Sequence, residues 1–136
     1  MTKENPTCMT IEQELSYIPA VRIFSNPDGT SAFELGKLPT YAHAEIKTFW
    51  LSSQIEKWQM GRHVAPRRQY VVTLKGKLKF KVSDGTTFVI KPGIILLAED
   101  LTGEGHSWEM IQGKKWVRLY IPMKDGADNL FVADNL

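Results

Sequence analysis

The stretch YVVTLKGKLKFKVSDGTTFVIKPGIILLA, Tyr70–Ala98, decides the fold. Tyr70–Leu74 is rich in β-branched residues. Lys77–Ser83 puts Leu78, Phe80 and Val82 on one face, the period-two pattern of a half-buried strand. Lys75-Gly76 reads as the turn between these two strands. Asp84-Gly85 is a strong hairpin signal, because a tight hairpin turn needs left-handed backbone that these residues tolerate. Thr86–Ile90 then pairs back, Lys91-Pro92-Gly93 turns the chain again, and Ile94–Ala98 reads as a buried strand. Outward toward the N-terminus, Ala20–Phe24 and Ser31–Lys37 read as strands around the turn Asn26–Thr30. Ile46–Leu51 and Ile55–Met60 follow as further strand candidates. Outward toward the C-terminus come a loop over Leu101–Gly105, a strand over Ser107–Gln112, a turn at Gly113–Lys115 and a last strand over Trp116–Pro122. Thr10 and Gln13 form a capping-box signature for one short helix over Thr10–Tyr17. The pattern predicts an all-β chain with at most that helix, folded as a sandwich or small barrel. Residues 1–18 form an N-terminal segment, 19–122 the β domain and 123–136 a polar tail.

Composition narrows the function classes. The chain has 136 residues, 43% of them hydrophobic, enough for one core. Its 17 basic and 15 acidic residues leave a net charge of +2, too balanced to point to nucleic acid. Lys75, Lys77, Lys79 and Lys81 alternate as on one solvated strand face. Ile94–Ala98 is the longest apolar run, far short of a membrane helix of about 20 residues, so no membrane partner is expected. The N-terminal residues carry no secretory-signal pattern, and Cys8 is the only cysteine, so a cytoplasmic protein without disulfides or a thiolate metal cluster is expected.

More specific information lies in residues 62–106. His63, Ala65, Gln69 and Gly76 occupy the slots of a His-x-His…Glu…Gly motif; Gly85, Pro92-Gly93 and His106 follow with the spacing of its companion Gly…Pro-Gly…His motif. In these features the chain resembles the cupins, and in VRIFSNPDGTSAFE, APRRQYVV and LLAEDLTGEGH it is similar to a subgroup of small single-domain bacterial members. The resemblance implies a cupin double-stranded β-helix, a jelly-roll barrel. It also implies a site at the barrel mouth, with His63, Ala65, Arg67, Gln69, Val71 and Thr73 facing inward and Arg68 outward. Cupins commonly pair through their sheets, so a homodimer through the N-terminal strands is expected.

A usual cupin holds Fe, Mn, Ni or Zn with three His and one Glu. Here Ala65 has no donor atom and Gln69 offers only a neutral amide oxygen, so His63, Gln69 and His106 form a weak set for a divalent metal ion. No cofactor is expected. The resemblance then implies a metal-independent acid–base enzyme, a dehydratase or isomerase acting on a polar, sugar-like or carboxylated small-molecule ligand. His63 and His106 are the candidate catalytic pair, since imidazole exchanges protons near neutral pH. Arg67 and Gln69 would position the substrate, with Tyr70, Trp108 and Glu104 at the mouth. Two alternatives stand beside this: a metal-dependent dioxygenase or isomerase with a rebuilt ligand set, and a non-catalytic metabolite sensor. His43 lies outside both motifs and is expected in a structural or surface role. The face taken by Arg118 and Tyr120 stays open.

Overall fold

Residues 16–134 are described by the computed structural model of the chain. The strands are β1 (Tyr17–Ser25), β2 (Ser31–Pro39), β3 (Trp50–Ser52), β4 (Gln69–Lys81), β5 (Thr87–Ile90), β6 (Ile95–Glu99), β7 (Ser107–Pro122) and β8 (Val132–Ala133). They form one mixed sheet in the order β3-β7-β4-β6-β1-β2-β8, with β5 paired to the second half of β4. The end strands β3 and β8 are not neighbours in this path, so hydrogen bonding among the described residues does not close the sheet. Apart from one 3-10 turn, Lys57–Gln59, no helix occurs among them, and none is long and apolar enough to cross a membrane.

The hairpin signals hold. In the β1–β2 turn the Asp28 carboxylate accepts from the Thr30 amide and hydroxyl; in the β4–β5 turn Asp84 does the same with Thr86. Both are Asx turns, in which a short side chain replaces a backbone partner. Two other expected turns are not turns. Lys75-Gly76 and Gly113–Lys115 lie inside the long strands β4 and β7, which pair along most of their length. Between the pairs Lys75–Val117 and Lys77–Gln112, β7 spends five steps against two of β4. Gly76 and Gly113 both take left-handed backbone there, and each sits against the other strand at this bulge. The bulge inverts the parity of β4, so the inward residues are Gln69, Val71 and Thr73 before it but Leu78 and Phe80 after it.

Other expectations need correction. Thr10–Leu15 of the expected helix lies outside the described residues, and Tyr17 opens β1. Only Trp50 and Leu51 of Ile46–Leu51 enter a strand; Ile46 makes an isolated bridge to Met123. Ile55–Met60 is not extended, because the Gln59 side chain folds back to accept from the Glu56 amide and closes the 3-10 turn. The segment after Pro122 is part of the structure, with β8 pairing Gly36 and Lys37 of β2. Gly36 is required there, since a Cβ would collide with Phe131 and the Val132 carbonyl. Of the N-terminal strands, β1 is paired on both sides, and β2 keeps an open outer edge beyond its two residues under β8.

Each face of the sheet buries its own cluster. Val21, Ile23, Val71, Phe80, Leu96, Trp116 and Tyr120 pack on the inner face. Ala20, Tyr70, Leu97 and Met123 pack on the other, covered by Leu130 and Phe131. Glu99 ties the second face together, accepting from Arg22 of β1, from Arg68 and from Asn129 of the C-terminal segment. Burial pushes its carboxyl up, but the hydrogen bonds from Arg22 and Arg68 outweigh this and hold it below the ordinary range. Replacing Glu99 with Gln keeps the volume and removes the charge facing two guanidinium groups. Glu99→Gln is expected to lower unfolding free energy by about 2–3 kcal/mol, the scale of lost charged hydrogen bonds, read as a lower urea midpoint with unchanged m-value.

Candidate functional site

The inward face of β4, β6 and β7 meets the segment before β4 at one point. His63 and His106 form an isolated antiparallel bridge, each amide donating to the other's carbonyl, at 2.9 and 2.8 Å. The two imidazole rings lie 4.6 Å apart, centre to centre. Gly105, at φ 71°, makes this approach possible: a Cβ there would overlap the backbone of His63 and Val64. The next rung is the Ala65 amide, which donates to the Asp100 carbonyl at 3.0 Å.

Each imidazole is anchored through its Nδ1. His63 Nδ1 lies 3.0 Å from the Gly61 carbonyl, which can only accept, so Nδ1 carries the proton. His106 Nδ1 lies 2.5 Å from the Asp100 carboxylate. Asp100 follows β6 with the parity of Leu96 and Ala98, is fully buried, and has one oxygen without a hydrogen-bond partner. With Nδ1 so engaged on both rings, Nε2 is the nitrogen left free on each, and among the described residues neither Nε2 has a hydrogen-bond partner. Burial holds the His63 pKa below the ordinary histidine value, and the neighbouring His106 lowers it further, against the Gly61 hydrogen bond and the Asp100 charge. His63 is thus a neutral base at neutral pH, and this pair of rings is able to accept a proton at one nitrogen and deliver one from another.

Both histidines line a cavity of about 30 Å³, room for one or two water molecules. Gln69 adds its buried amide; Val71, Phe80 and Leu96 form the floor, and Trp108, Trp116 and Tyr120 the β7 wall. Trp58 and Gln59 of the 3-10 turn lie over it, Trp58 edge-on to His63 at 5.4 Å between centres. A larger groove of about 410 Å³ lies on the other face, around Leu38, Tyr41, Tyr70 and Ile121. Among the described residues, tyrosine hydroxyls are its only titratable groups, and that of Tyr70 donates to the Asn129 carbonyl.

The structure thus gathers His63, His106, Gln69 and Trp108, and separates the other candidates. Tyr70 faces the second cluster, one step out of phase with Gln69. Glu104 is exposed and pairs with Arg62 at 3.5 Å. Arg67 is exposed above the site; it donates to the Gln69 amide oxygen at 3.0 Å and lies over the Trp50 ring. Arg68, expected on the surface, is half-buried against Glu99. His43 is exposed, as expected. Asp100 and Arg118 are not among the expected acid–base or substrate-binding residues. Asp100 had a legible signal, a carboxylate two steps beyond Ala98 on the inward parity. Arg118 had none, because its face depends on the β7 bulge. No group of three or more His, Cys, Asp or Glu side chains among the described residues is arranged to hold a metal ion. No protein-family model matches the chain, and no curated protein matches it.

Two outcomes follow from this geometry. Gly105→Ala is expected to cost about 1–3 kcal/mol, the scale of enforced backbone strain, and to separate the histidine rings, seen as altered imidazole NMR signals. The lowered His63 pKa contributes stability that is fully present above the unfolded value of about 6.5 and is lost as pH falls through the folded one. Urea midpoints measured from pH 7.5 to 5 should therefore fall, and His63→Gln should flatten that slope.

Proposed function

We propose that the chain is a cupin-type jelly-roll protein acting as a metal-independent acid–base enzyme, of the dehydratase or isomerase type, on a small polar metabolite. The observation that carries this reading is the Asp100–His106–His63 arrangement facing one cavity. His63, neutral near pH 7, takes the proton from a carbon next to a carbonyl. That C–H electron pair forms the new double bond as a neighbouring C–O bond breaks, and the leaving hydroxyl departs as water with a proton from His106. In an isomerisation the proton returns to another carbon instead. Asp100 fixes the orientation of His106 and supplies a carboxylate beside the ring when it holds both protons. Positioned acid and base groups each contribute about 10²–10⁴-fold.

The donor set does not fit a resident divalent metal. Gln69 stands where a cupin carboxylate ligand would, and its amide oxygen already accepts from the Arg67 guanidinium. A second cation at that oxygen would meet this positive charge with no anionic ligand to offset it. The sensor reading uses the same cavity without turnover. The homodimer is proposed through the open edge of β2, and sedimentation velocity tests it.

The test is a screen of hydroxy acids and sugar acids for loss or gain of an unsaturated carbonyl absorbance, with the metal content of the same preparation measured. His63→Ala and His106→Gln should each lower kcat by about 10²–10⁴-fold. Asp100→Asn should lower kcat with little change in KM. Turnover that follows a stoichiometric metal ion and disappears with chelation would overturn the metal-free mechanism. Saturable binding without turnover would favour the sensor.

A further inference from the structure

Arg118 is 1% exposed on the inner face of β7, and none of the ion pairs among the described residues includes it. A buried guanidinium ordinarily faces a carboxylate, because an uncompensated buried charge is costly. Here every hydrogen-bond partner among the described residues is neutral. Nε donates to the Tyr120 hydroxyl at 3.0 Å and Nη1 to the Trp116 carbonyl at 2.8 Å. Nη2 donates to the Gln54 carbonyl at 2.8 Å and, more weakly, to the Gln59 amide oxygen at 3.3 Å. The rings of Trp116 and Tyr120 pack against the cation, at 4.5 and 5.1 Å from their centres.

The two acceptors on Nη2 belong to the strap that closes the histidine cavity. From residue 53 to residue 61 no backbone–backbone hydrogen bond reaches the sheet among the described residues. The strap's hydrogen bonds to the body of the fold run from Gln54 and Gln59 to Arg118 and Tyr120, and from the Gly61 carbonyl to His63. Gln59, Trp116 and Tyr120, all touching Arg118, line the cavity that holds His63 and His106. The cavity is small, about 30 Å³, and Arg118 lies behind Gln59, Trp116 and Tyr120 in its wall, so a ligand group reaches the guanidinium only when the strap moves.

We propose that Arg118 recognises a carboxylate on the substrate, and that the strap from Gln54 to Gln59 is a neutral stand-in which that carboxylate displaces. The inference rests on the reading of the histidine cavity as a substrate site. Two oxygens from the strap share one nitrogen of the guanidinium, Nη2, and moving the strap frees that nitrogen for a carboxylate oxygen. Exchanging them for a charged carboxylate roughly doubles the strength of each hydrogen bond and supplies the missing counter-charge. A ligand opens a closed site only by its differential affinity for the open state. A carboxylate has that difference through Arg118; its uncharged amide does not.

The experiment is an NMR titration of isotope-labelled protein, following the indole signals of Trp58 and Trp116 and the imidazole signals of His63 and His106. The probes are malonate and succinate, their diamides, inorganic phosphate and glucose. Malonate or succinate should shift all four side chains saturably, and the matched diamide should not at the same concentration. Arg118→Lys, which keeps charge but loses the planar fork, should weaken carboxylate binding by about tenfold. Gln59→Ala leaves Arg118 in place and loosens the strap, so carboxylate binding should tighten by about three- to tenfold as the open state becomes more populated.

Equal binding of carboxylate and diamide, weaker carboxylate binding by folded Gln59→Ala, or preference for phosphate would each overturn the assignment. Histidine shifts caused by glucose or the diamides alone would overturn it while leaving the cavity as a substrate site. Histidine signals unmoved by every probe would overturn both readings.

Discussion

The arrangement depends on two backbone hydrogen bonds exchanged between His63 and His106. The residues lie 43 positions apart, on a short extended segment and at the start of β7, and only this exchange brings their side chains to one place. It works because Gly105 has no Cβ and occupies left-handed backbone. Two residues on, the Ala65 amide donates to the Asp100 carbonyl, so the segment that positions His63 also holds the backbone of the residue whose carboxylate orients His106. Fixing two imidazoles and an orienting carboxylate through backbone hydrogen bonds of one short segment spares each side chain the entropy of finding the others.

Much of this was legible in the residues. The Asx turns at Asp28 and Asp84 were readable because their chemistry is local: a carboxylate, two residues, an amide and a hydroxyl. Gly76 and Gly113 were read as turns for the same local reason. A lysine-flanked glycine with positive φ serves a hairpin turn and a bulge equally, and only the partner strand distinguishes them. That ambiguity has a cost in the site. Parity places His63, Gln69 and Trp108 correctly, but it cannot be carried across a bulge, so Arg118 and Tyr120 remained without a face. Arg67 shows a second limit: it shares parity with Gln69, yet it precedes β4 and leans outward onto Trp50.

The distribution of counter-charges separates structural from chemical arginines. Arg22 and Arg68 share Glu99 on the outer face, with Asn129 filling the remaining capacity of the carboxylate. That network is satisfied from within and has nothing left to bind. Arg118 is more deeply buried than either, yet among the described residues it meets only carbonyl, amide and hydroxyl oxygens and two aromatic faces. Among the described residues the fold supplies Glu99 to two partly buried guanidinium groups and no carboxylate to the most enclosed one, which lies behind the wall of the histidine cavity. Stability alone would favour an apolar side chain at position 118.

The closed cavity and this enclosed guanidinium belong to one physical account. Proton transfer at His63 gains from partial exclusion of water, since burial favours the neutral imidazole and the nearby Asp100 charge acts through a less screened medium. A wall permanently bonded into the sheet would exclude substrate together with water. The strap avoids this by holding to the fold through side chains, which separate one bond at a time, whereas a backbone ladder must break cooperatively. Gln59 couples the two states. Its amide oxygen closes its own 3-10 turn on Glu56 and also reaches Arg118, while its nitrogen donates to Tyr120. A group that captures the guanidinium therefore removes a tether of the strap, and access to the histidines follows from the same contact that fixes the ligand's charge.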